Sequence, residues 1–227
     1  MSRRLQILEE MGLAPVWRLR QEKNPLVSAK AAETRGSREE RIARMGWPEL
    51  KATVKDCTAC GLRAGCTQTV FGVGDEAADW LLVGEAPGAE EDRLGEPFVG
   101  QAGKLLDAML ASLGLARGKN VYIANVLKCR PPGNRNPEPI EVATCSPYLR
   151  RQIELIQPKL IVAMGRFAVQ TLLDTDATIG SLRGKVHAYH GVPLVVTYHP
   201  AYLLRNLPDK AKAWADLVFA RKTIAGS

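Results

Sequence analysis

The pattern of hydrophobic and polar positions predicts alternating strands and helices from about residue 79 onward. Short, wholly apolar runs predict buried strands within the segments DWLLVGEAPG, NVYIANVL, PKLIVAMG and VPLVVTYHP. Between them, apolar residues recur at helical spacing in QAGKLLDAMLASLGL, RFAVQTLL, KAWADLVFARKTI and EVATCSPYLRRQIELI, the last interrupted early by Pro147. This alternation predicts an α/β fold with three layers, α/β/α, around a central, mostly parallel four-stranded sheet.

The predicted sheet also indicates where functional residues should lie. Ligands of open α/β sheets bind beyond the carboxyl ends of the strands. Four such ends can be placed along the chain: Gly84–Gly88, Asn125–Arg130, Gly165 and His199–Arg205. We therefore expect the side chains that carry chemistry at these four places.

The first fifty residues follow a different pattern. Residues 5–13 have helical spacing, residues 21–40 are polar and predict a linker, and a helix should resume from about Arg38. We therefore expect an N-terminal helical or flexible arm at residues 1–50 and a single domain at residues 51–227.

Composition changes this picture little. The 46% hydrophobic and 24% charged residues are typical of a soluble globular protein. No apolar run approaches the ~20 residues of a membrane span. The first residues, MSRRLQILEEMG, carry charges where a signal peptide needs an apolar core, so we expect a cytoplasmic protein. The net charge of +7 favours a polyanionic partner only weakly.

Four of the five cysteines have the spacing of a metal site. Cys57 and Cys60 form a C-x2-C pair, whereas Cys129 and Cys145 flank a loop too rich in proline, asparagine and arginine for a regular helix or strand. Four thiolates can bind zinc or an iron–sulfur cluster, and the spacing leaves both open. Such a site would pin the loop beside the cleft. Cys66 pairs with no cysteine by spacing and is interpreted as a buried thiol without a chemical role.

Two other common motifs fit the chain less well. A redox C-x-x-C is less favoured than a metal site, because that motif follows a strand and opens a helix in a thioredoxin-like unit. The segment GEAPGAEEDRLGEPFVGQAGKLLD matches neither G-x-G-x-x-G nor the P-loop, so no nucleotide cofactor is expected. Its acidic cluster (Glu90, Glu91 and Asp92) and Phe98, taken singly, fit a solvated loop and a core anchor equally well.

Taken together, the segments resemble the family 4 uracil-DNA glycosylases, the iron–sulfur branch of the uracil-DNA glycosylase superfamily. The matching stretches are GEAPGAEED, GEPFVGQAGKLL, NVLKCRPPGNR and HPAYLLRN, together with the four cysteine positions, and the resemblance covers about residues 54–220. The resemblance implies a DNA repair enzyme that hydrolyses the N-glycosidic bond of flipped-out uracil and leaves an abasic site. It also implies a 4Fe-4S cluster on Cys57, Cys60, Cys129 and Cys145. We expect a monomer that binds uracil-containing DNA and no membrane.

The resemblance implies roles for residues in the cleft. Phe98 would stack on the uracil ring, Asn125 would read its N3 and O4 edge, and His199 would face its O2. Glu85 to Gly88 would form the turn that faces the flipped nucleotide. Glu91 and Asn134 would lie near the pocket. Residues 201–206 would form the loop that enters the duplex from the minor groove.

These residue types suit the chemistry. An amide can donate to O4 and accept from N3–H at once, as Asn125 would, whereas cytosine reverses that pattern. A donor fixed near O2, as His199 would be, stabilises the negative charge of the leaving uracil. An extruded base leaves a gap that Leu203 or Leu204 can fill, while Arg205 binds a phosphate.

Two positions depart from the wider superfamily. Ala86 stands where many members carry a water-activating aspartate, which leaves the general base open between Glu85, Glu91 and none. Gly88 replaces a bulky residue that excludes thymine in some relatives, and the means of refusing thymine stays open.

The rival interpretations make different demands on the chain. A covalent uracil-DNA-binding branch needs an extra histidine in an inserted loop, and no histidine lies between Arg130 and His187. A non-catalytic iron–sulfur DNA-binding module does not explain the pocket residues, and a zinc phosphoesterase lacks a His/Asp set with metal spacing. Lys128, the amine closest to a strand end, leaves a lyase-type Schiff base open. His187 and His190 are interpreted as structural.

Overall fold

The computed structural model describes residues 38–226. The helix expected at residues 5–13 and most of the expected linker lie outside these residues. From Glu39 onward the chain forms one compact unit. The division into an arm at residues 1–50 and a domain at 51–227 remains a proposal.

The described residues form one six-stranded sheet. Its strands are β1 (Val73–Gly74), β2 (Trp80–Gly84), β3 (Val121–Asn125), β4 (Leu160–Met164), β5 (Val186–Tyr189) and β6 (Val192–Thr197). Their order is β1-β3-β2-β4-β6-β5, with four parallel inner strands and an antiparallel strand at each edge.

The four predicted strands are the four inner ones. This confirms the α/β class and the mostly parallel sheet, but the count of four strands is wrong. Strand β1 has only two residues, and β5 exposes alternate side chains at the edge of the sheet. Neither has the continuous apolar run that identified the inner strands.

The helices lie between the strands and at both ends of the described chain. They are α1 (residues 38–44), α2 (Trp47–Lys55), α3 (Ala89–Leu94), α4 (Gln101–Ala111), α5 (Pro139–Ile156), α6 (Arg166–Leu173), α7 (Ile179–Leu182), α8 (Pro200–Leu203) and α9 (Asp209–Ala225). Within residues 38–226, none of them has the length and apolar character needed to cross a membrane.

Side chains of β2 alternate between two hydrophobic clusters, one on each face of the sheet. Leu81 and Val83 pack with residues of α5 and α6, whereas Trp80 and Leu82 pack with residues of α4 and α9. Helices therefore cover both faces, which confirms the three-layer arrangement. The parallel register aligns the strand ends at one edge, where Gly84 of β2 pairs with Asn125 of β3.

The first two helices pack against α5. Ile42, Leu50 and Val54 share a hydrophobic cluster with Tyr148 of α5, and Arg151 Nε donates to the Met45 carbonyl at 2.7 Å. The described part of the proposed arm, residues 38–50, is thus held by the same core as the cysteine-bearing segments.

Helix α5 begins earlier than the sequence suggested. It starts at Pro139, so the final part of the proline-rich segment is helical and Cys145 lies inside the helix. Proline is well tolerated at the first helical position, where its missing N–H is not needed. The Glu141 carboxylate also accepts the Glu138 N–H at 2.8 Å, which supports the first turn.

Pro147 does not interrupt α5, contrary to the prediction. A proline inside a helix leaves the carbonyl four residues earlier without its donor. Here that carbonyl belongs to Ala143, and the Ser146 hydroxyl donates to it at 3.3 Å. A neighbouring side chain thus replaces the missing backbone donor, and the helix continues.

Candidate active site

A cavity of about 910 Å³ opens at the carboxyl ends of the inner strands. Nine of the predicted site residues line it: Glu85, Ala86, Gly88, Glu91, Phe98, Asn125, Asn134, His199 and Arg205. Gly165, at the end of β4, lines it as well. All four predicted strand ends therefore contribute to one site.

The Asn125 amide is the most unusual polar group in the cavity wall. Asn125 ends β3, is 2% exposed and has an Oδ1 atom that lacks a hydrogen-bond partner, alone among the buried side-chain polar atoms of residues 38–226. A Cβ atom at Gly84 would lie 2.5 Å from this oxygen, so only glycine at this position allows the end of β2 to lie so close to Asn125. A buried acceptor without a donor costs free energy, and a ligand with a matching N–H would recover it.

Two aromatic rings form the wall beside Asn125. The Phe98 and His199 ring centroids lie 5.4 Å apart with an interplanar angle of 29°. A Cβ atom at Gly165, whose φ is +88°, would lie 2.8 Å from His199 Cβ, so glycine permits this close approach. Stacked rings of this kind suit a planar ligand.

His199 is held as a neutral hydrogen-bond donor. Its Nδ1 accepts the Ala201 N–H at 3.1 Å, so the proton of the neutral ring lies on Nε2. Burial, helped by the positive charge of Arg205, lowers the pKa of His199 to about 4. The ring therefore stays neutral near pH 7 and retains an Nε2–H group.

The Glu91 carboxylate is occupied by the backbone. Its Oε1 accepts the N–H groups of Val99 and Gly100 at 3.0 and 3.1 Å, and its Oε2 accepts that of Gly88 at 3.1 Å. Three amide donors hold the carboxylate in place. Through these contacts Glu91 holds the loop between α3 and α4 in place. They argue against Glu91 as a general base.

Glu85 has a different environment. Its carboxylate accepts no hydrogen bond from residues 38–226. Burial raises the pKa of Glu85, and the nearby Arg166 guanidinium opposes that rise. Glu85 is thus the better candidate of the two for contact with water or with a developing positive charge.

Two cavity-lining arginines were missed from the sequence, Arg166 and Arg135. Arg166 directly follows the strand end at Gly165, so the strand-end rule could have found it. Arg135 lies in the loop after β3, where no pattern distinguished it from its neighbours. Arg166 and Arg205 place positive charge around the cavity, as suits a phosphate-bearing ligand, whereas the charge of Arg135 is paired with Glu141.

The loop between β3 and α5 is held by contacts of its own, independent of any metal site. Arg135 Nη1 donates to Glu141 Oε2 at 2.9 Å, and Arg130 Nε donates to Asn134 Oδ1 at 2.8 Å. A metal site could therefore only add to these contacts.

The loop after α8 corrects one candidate contact. Leu203 is 1% exposed and packs inside the fold, so it cannot enter a duplex, whereas Leu204 is 41% exposed. The Tyr202 hydroxyl donates to Asp209 Oδ2 at 2.6 Å, which ties α8 to the start of α9. Leu204 is left as the candidate wedge.

Three other groups lie outside the cavity. Lys128 is 2% exposed, and its Nζ donates to the Asn125 carbonyl at 2.9 Å and to Gln152 Oε1 at 2.7 Å. His187 bonds to the Leu182 carbonyl at 2.8 Å, and His190 lies in the turn between β5 and β6. None of the three side chains lines the cavity.

A family comparison agrees with this geometry. Residues 71–218 match the model of the Uracil DNA glycosylase superfamily. The chain belongs to this superfamily. Its curated relatives include "Type-4 uracil-DNA glycosylase" of Archaeoglobus fulgidus, 51% identical over 164 residues, which are 69% of this chain and 82% of the relative.

Two further relatives carry the same name. The protein of Thermotoga maritima is 46% identical over 70% of this chain and 83% of its own length. That of Pyrobaculum aerophilum is 42% identical over 76% of this chain and 92% of its own length. Similarity to type-4 members thus extends over most of the compact unit.

The predicted thiol ligands of this glycosylase-superfamily chain lie near one another. The pKa of Cys129 is raised first by burial and then by its neighbours Cys60, Cys66 and Cys145. In the same way, Cys57 and Cys60 contribute to the raised pKa of Cys145. Burial raises the pKa of Cys145 to about 11. Thiols gathered in this way suit an iron–sulfur or metal centre, which stabilises thiolates.

The thiols are not arranged around a single metal ion. Within residues 38–226, no three His, Cys, Asp or Glu side chains are placed to hold one ion. A four-iron cluster needs its thiolates farther apart than a single metal ion does, because each thiolate binds a different iron atom. Cys66 does not stand apart in the fold as its spacing suggested, since it lies close enough to Cys129 to help raise the pKa of that thiol.

Proposed function

We propose that this protein is a DNA repair glycosylase that hydrolyses the N-glycosidic bond of uracil extruded from DNA. The unpaired, buried Oδ1 of Asn125 in the cavity wall carries the proposal. Uracil offers the N3–H that this acceptor lacks. The type-4 names of the relatives support the same substrate.

Selection of uracil would rest on the edge of the base. The Asn125 amide accepts from N3–H through Oδ1 and donates to O4 through Nδ2. Cytosine presents an acceptor at N3 and a donor at C4, so both groups of the amide would face like partners. A site built to hydrogen-bond its substrate rejects such an analogue strongly.

Departure of uracil would be assisted by His199. Cleavage of the bond from the sugar C1′ to N1 leaves the electron pair on uracil, so negative charge develops on its ring and on O2. The neutral His199 has an Nε2–H group to donate, and a fixed donor aimed at developing charge lowers the barrier. Phe98 would stack on the ring and hold it in this orientation.

The sugar cation left behind would be captured by water. The water oxygen bonds to C1′, its proton passes to solvent or to a nearby base, and an abasic site remains. Glu85 is our candidate to orient this water or to stabilise the cation, because Glu91 already accepts three backbone N–H groups. Lys128 offers no route to a Schiff base, since its amine is bonded to Asn125 and Gln152.

The duplex would be engaged by the loop after α8. Leu204 is exposed and could fill the gap left by the extruded nucleotide, and Arg205 beside it could bind a phosphate. Arg166 adds positive charge at the rim of the same cavity.

We further propose that Cys57, Cys60, Cys129 and Cys145 hold a 4Fe-4S cluster. When bound, the cluster would link three parts of the chain: the segment after α2, the segment after β3, and helix α5. It would thereby support the loop that carries Asn134. Cys129→Ser should lose the yellow-brown colour and the roughly four irons per chain expected after anaerobic purification. Cys66→Ser is the matched control and should keep both, whereas stoichiometric zinc in a colourless protein would overturn this assignment.

An oligonucleotide assay tests the main proposal. Purified protein is incubated with DNA containing one uracil, and the products are run on a denaturing gel with and without hot alkali. A break that requires alkali, together with release of free uracil, is the expected result. A protein–DNA band would indicate covalent capture, a break without alkali a lyase, and intact DNA a binding module, and each of these outcomes would contradict the proposal.

A further inference from the structure

The main chain of Phe98 is held in an unfavourable conformation. Its φ is +55°, in the left-handed region that residues with a side chain rarely adopt. Phe98 lies between α3 and α4, outside any strand or helix. Surrounding contacts must therefore hold the ring where the cavity needs it.

One set of contacts reaches the residues after Phe98. The Glu91 carboxylate accepts the N–H groups of Val99 and Gly100, as described above. These bonds fix the chain on the C-terminal side of the ring. They leave the carbonyl groups of Pro97 and Phe98 to be held by something else.

Arg117 holds these two carbonyl groups. Its Nη1 donates to the Pro97 carbonyl and its Nη2 to the Phe98 carbonyl, each at 2.8 Å. The fork of the guanidinium suits two neighbouring acceptors, which a single ammonium group matches less well. Asp107 orients the fork, since its Oδ1 lies 3.0 Å from Nη2.

The start of α4 fits closely against the same carbonyl. A Cβ atom at Gly103 would lie 1.7 Å from the Phe98 oxygen, so only glycine allows the helix to pack there. Arg117 itself comes from the turn before β3 and does not line the cavity. It can therefore act on a bound base only through Phe98.

We propose that Arg117 is a positioning residue for the stacking ring, acting through the carbonyl groups of Pro97 and Phe98. The proposal rests on the proposed glycosylase function and on Phe98 as the stacking residue. Loss of Arg117 would let Phe98 relax from its left-handed conformation and turn its ring away from the base plane. Stacking acts on substrate binding, so the effect should fall on KM more than on kcat.

The test is a double-mutant cycle of Arg117→Ala and Phe98→Ala on uracil-containing DNA, with KM and kcat measured for each. Arg117→Ala should raise KM by about tenfold, within the range expected for loss of one stacking contact. In the Phe98→Ala background it should add less than about twofold, because residues that act through one contact are not additive. Arg117→Lys keeps the charge and one donor group, and should fall between alanine and wild type.

Arg93→Ala is the matched control, since Arg93 forms an exposed ion pair with Glu90 and does not contact Phe98. It should leave KM unchanged. If Arg117→Ala raises KM equally with and without Phe98, or leaves KM at the wild-type value, the positioning role is refuted while uracil excision by the wild type still stands. Arg117→Lys decides the same question if the alanine variant does not fold. Wild-type protein that excises no uracil would instead refute the glycosylase function itself.

Discussion

The two walls of the cavity are held by different means. Asn125 lies at the end of a buried strand, and its backbone is fixed by parallel pairing with Gly84. Phe98 lies outside the sheet in a left-handed conformation, and side chains from two other segments, Glu91 and Arg117, hold its main chain. The wall that would read the base is thus built by the sheet, and the wall that would stack on it is built by side chain to backbone bonds.

This difference predicts how each wall responds to substitution. A change at the end of a strand alters one functional group while the scaffold remains. A change in Glu91 or Arg117, which hold the main chain around Phe98, alters the position of the Phe98 ring while the ring itself remains. Substitutions at Asn125 and His199, which lie at or just beyond the ends of strands of the sheet, should therefore affect rate or selectivity, and those at Phe98 and the side chains that hold it should affect affinity.

The largest expected effect that we specify is at the end of β6. His199→Ala removes the neutral donor near O2 and should lower kcat by about 100-fold or more, as for loss of one donor to a developing anion. Single-turnover excision of uracil measures the effect. A wild-type rate in this variant would show that the donor lies elsewhere.

Phe98→Ala should have a smaller effect, and mainly on affinity. Stacking of one base on an aromatic ring contributes about 1–3 kcal/mol, or roughly 5- to 150-fold in binding. KM for uracil-containing DNA should rise within that range while kcat changes little. A fall in kcat with unchanged KM would place Phe98 in the chemical step and remove the contrast between the walls.

Leu204→Ala should affect duplex substrates alone, by about tenfold, because only a paired base must be extruded and its gap filled. The matched substrate is single-stranded DNA of the same sequence. Equal losses on the two substrates would contradict a wedge. Leu203→Ala is expected to lower the thermal stability of the protein instead, since Leu203 is 1% exposed.

The smallest expected effect is a shift in pH dependence. If ionised Glu85 assists capture by water, the rate should fall as the pH falls through its raised pKa. Arg166→Gln removes the positive charge that opposes that rise, so the acid limb should move to higher pH. Glu85→Gln should abolish the limb, and an unchanged limb in both variants would exclude Glu85. His199, with a pKa of about 4, should stay neutral across the neutral range.

The contrast also explains what could be predicted from the sequence. Apolar runs identify strands, and the strand-end rule then locates Asn125 and His199 and would have located Arg166. The edge strands β1 and β5 lack such runs, and Pro147 signals a break that the Ser146 hydroxyl makes unnecessary. The bond from Arg117 to Phe98 joins residues 19 apart in sequence through a backbone carbonyl, and no local pattern records such a contact.

The burial of Leu203 could not be read from the chain either. Leu203 and Leu204 are the same residue type in adjacent positions, and only the packing of α8 decides which of them is covered. Cys66 likewise looks isolated by spacing, although the fold brings it to Cys129. Contacts set by tertiary structure alone account for these differences.

Inhibition by two methylated uracils tests the central claim most directly. 1-Methyluracil keeps the N3–H donor for Asn125 Oδ1 and resembles the nucleoside, whereas 3-methyluracil has the same size and lacks that donor. Excision should be inhibited by 1-methyluracil, and at least about 100-fold less strongly by 3-methyluracil, because a buried acceptor would be left unpaired. Equal inhibition by the two compounds would contradict recognition of uracil by Asn125.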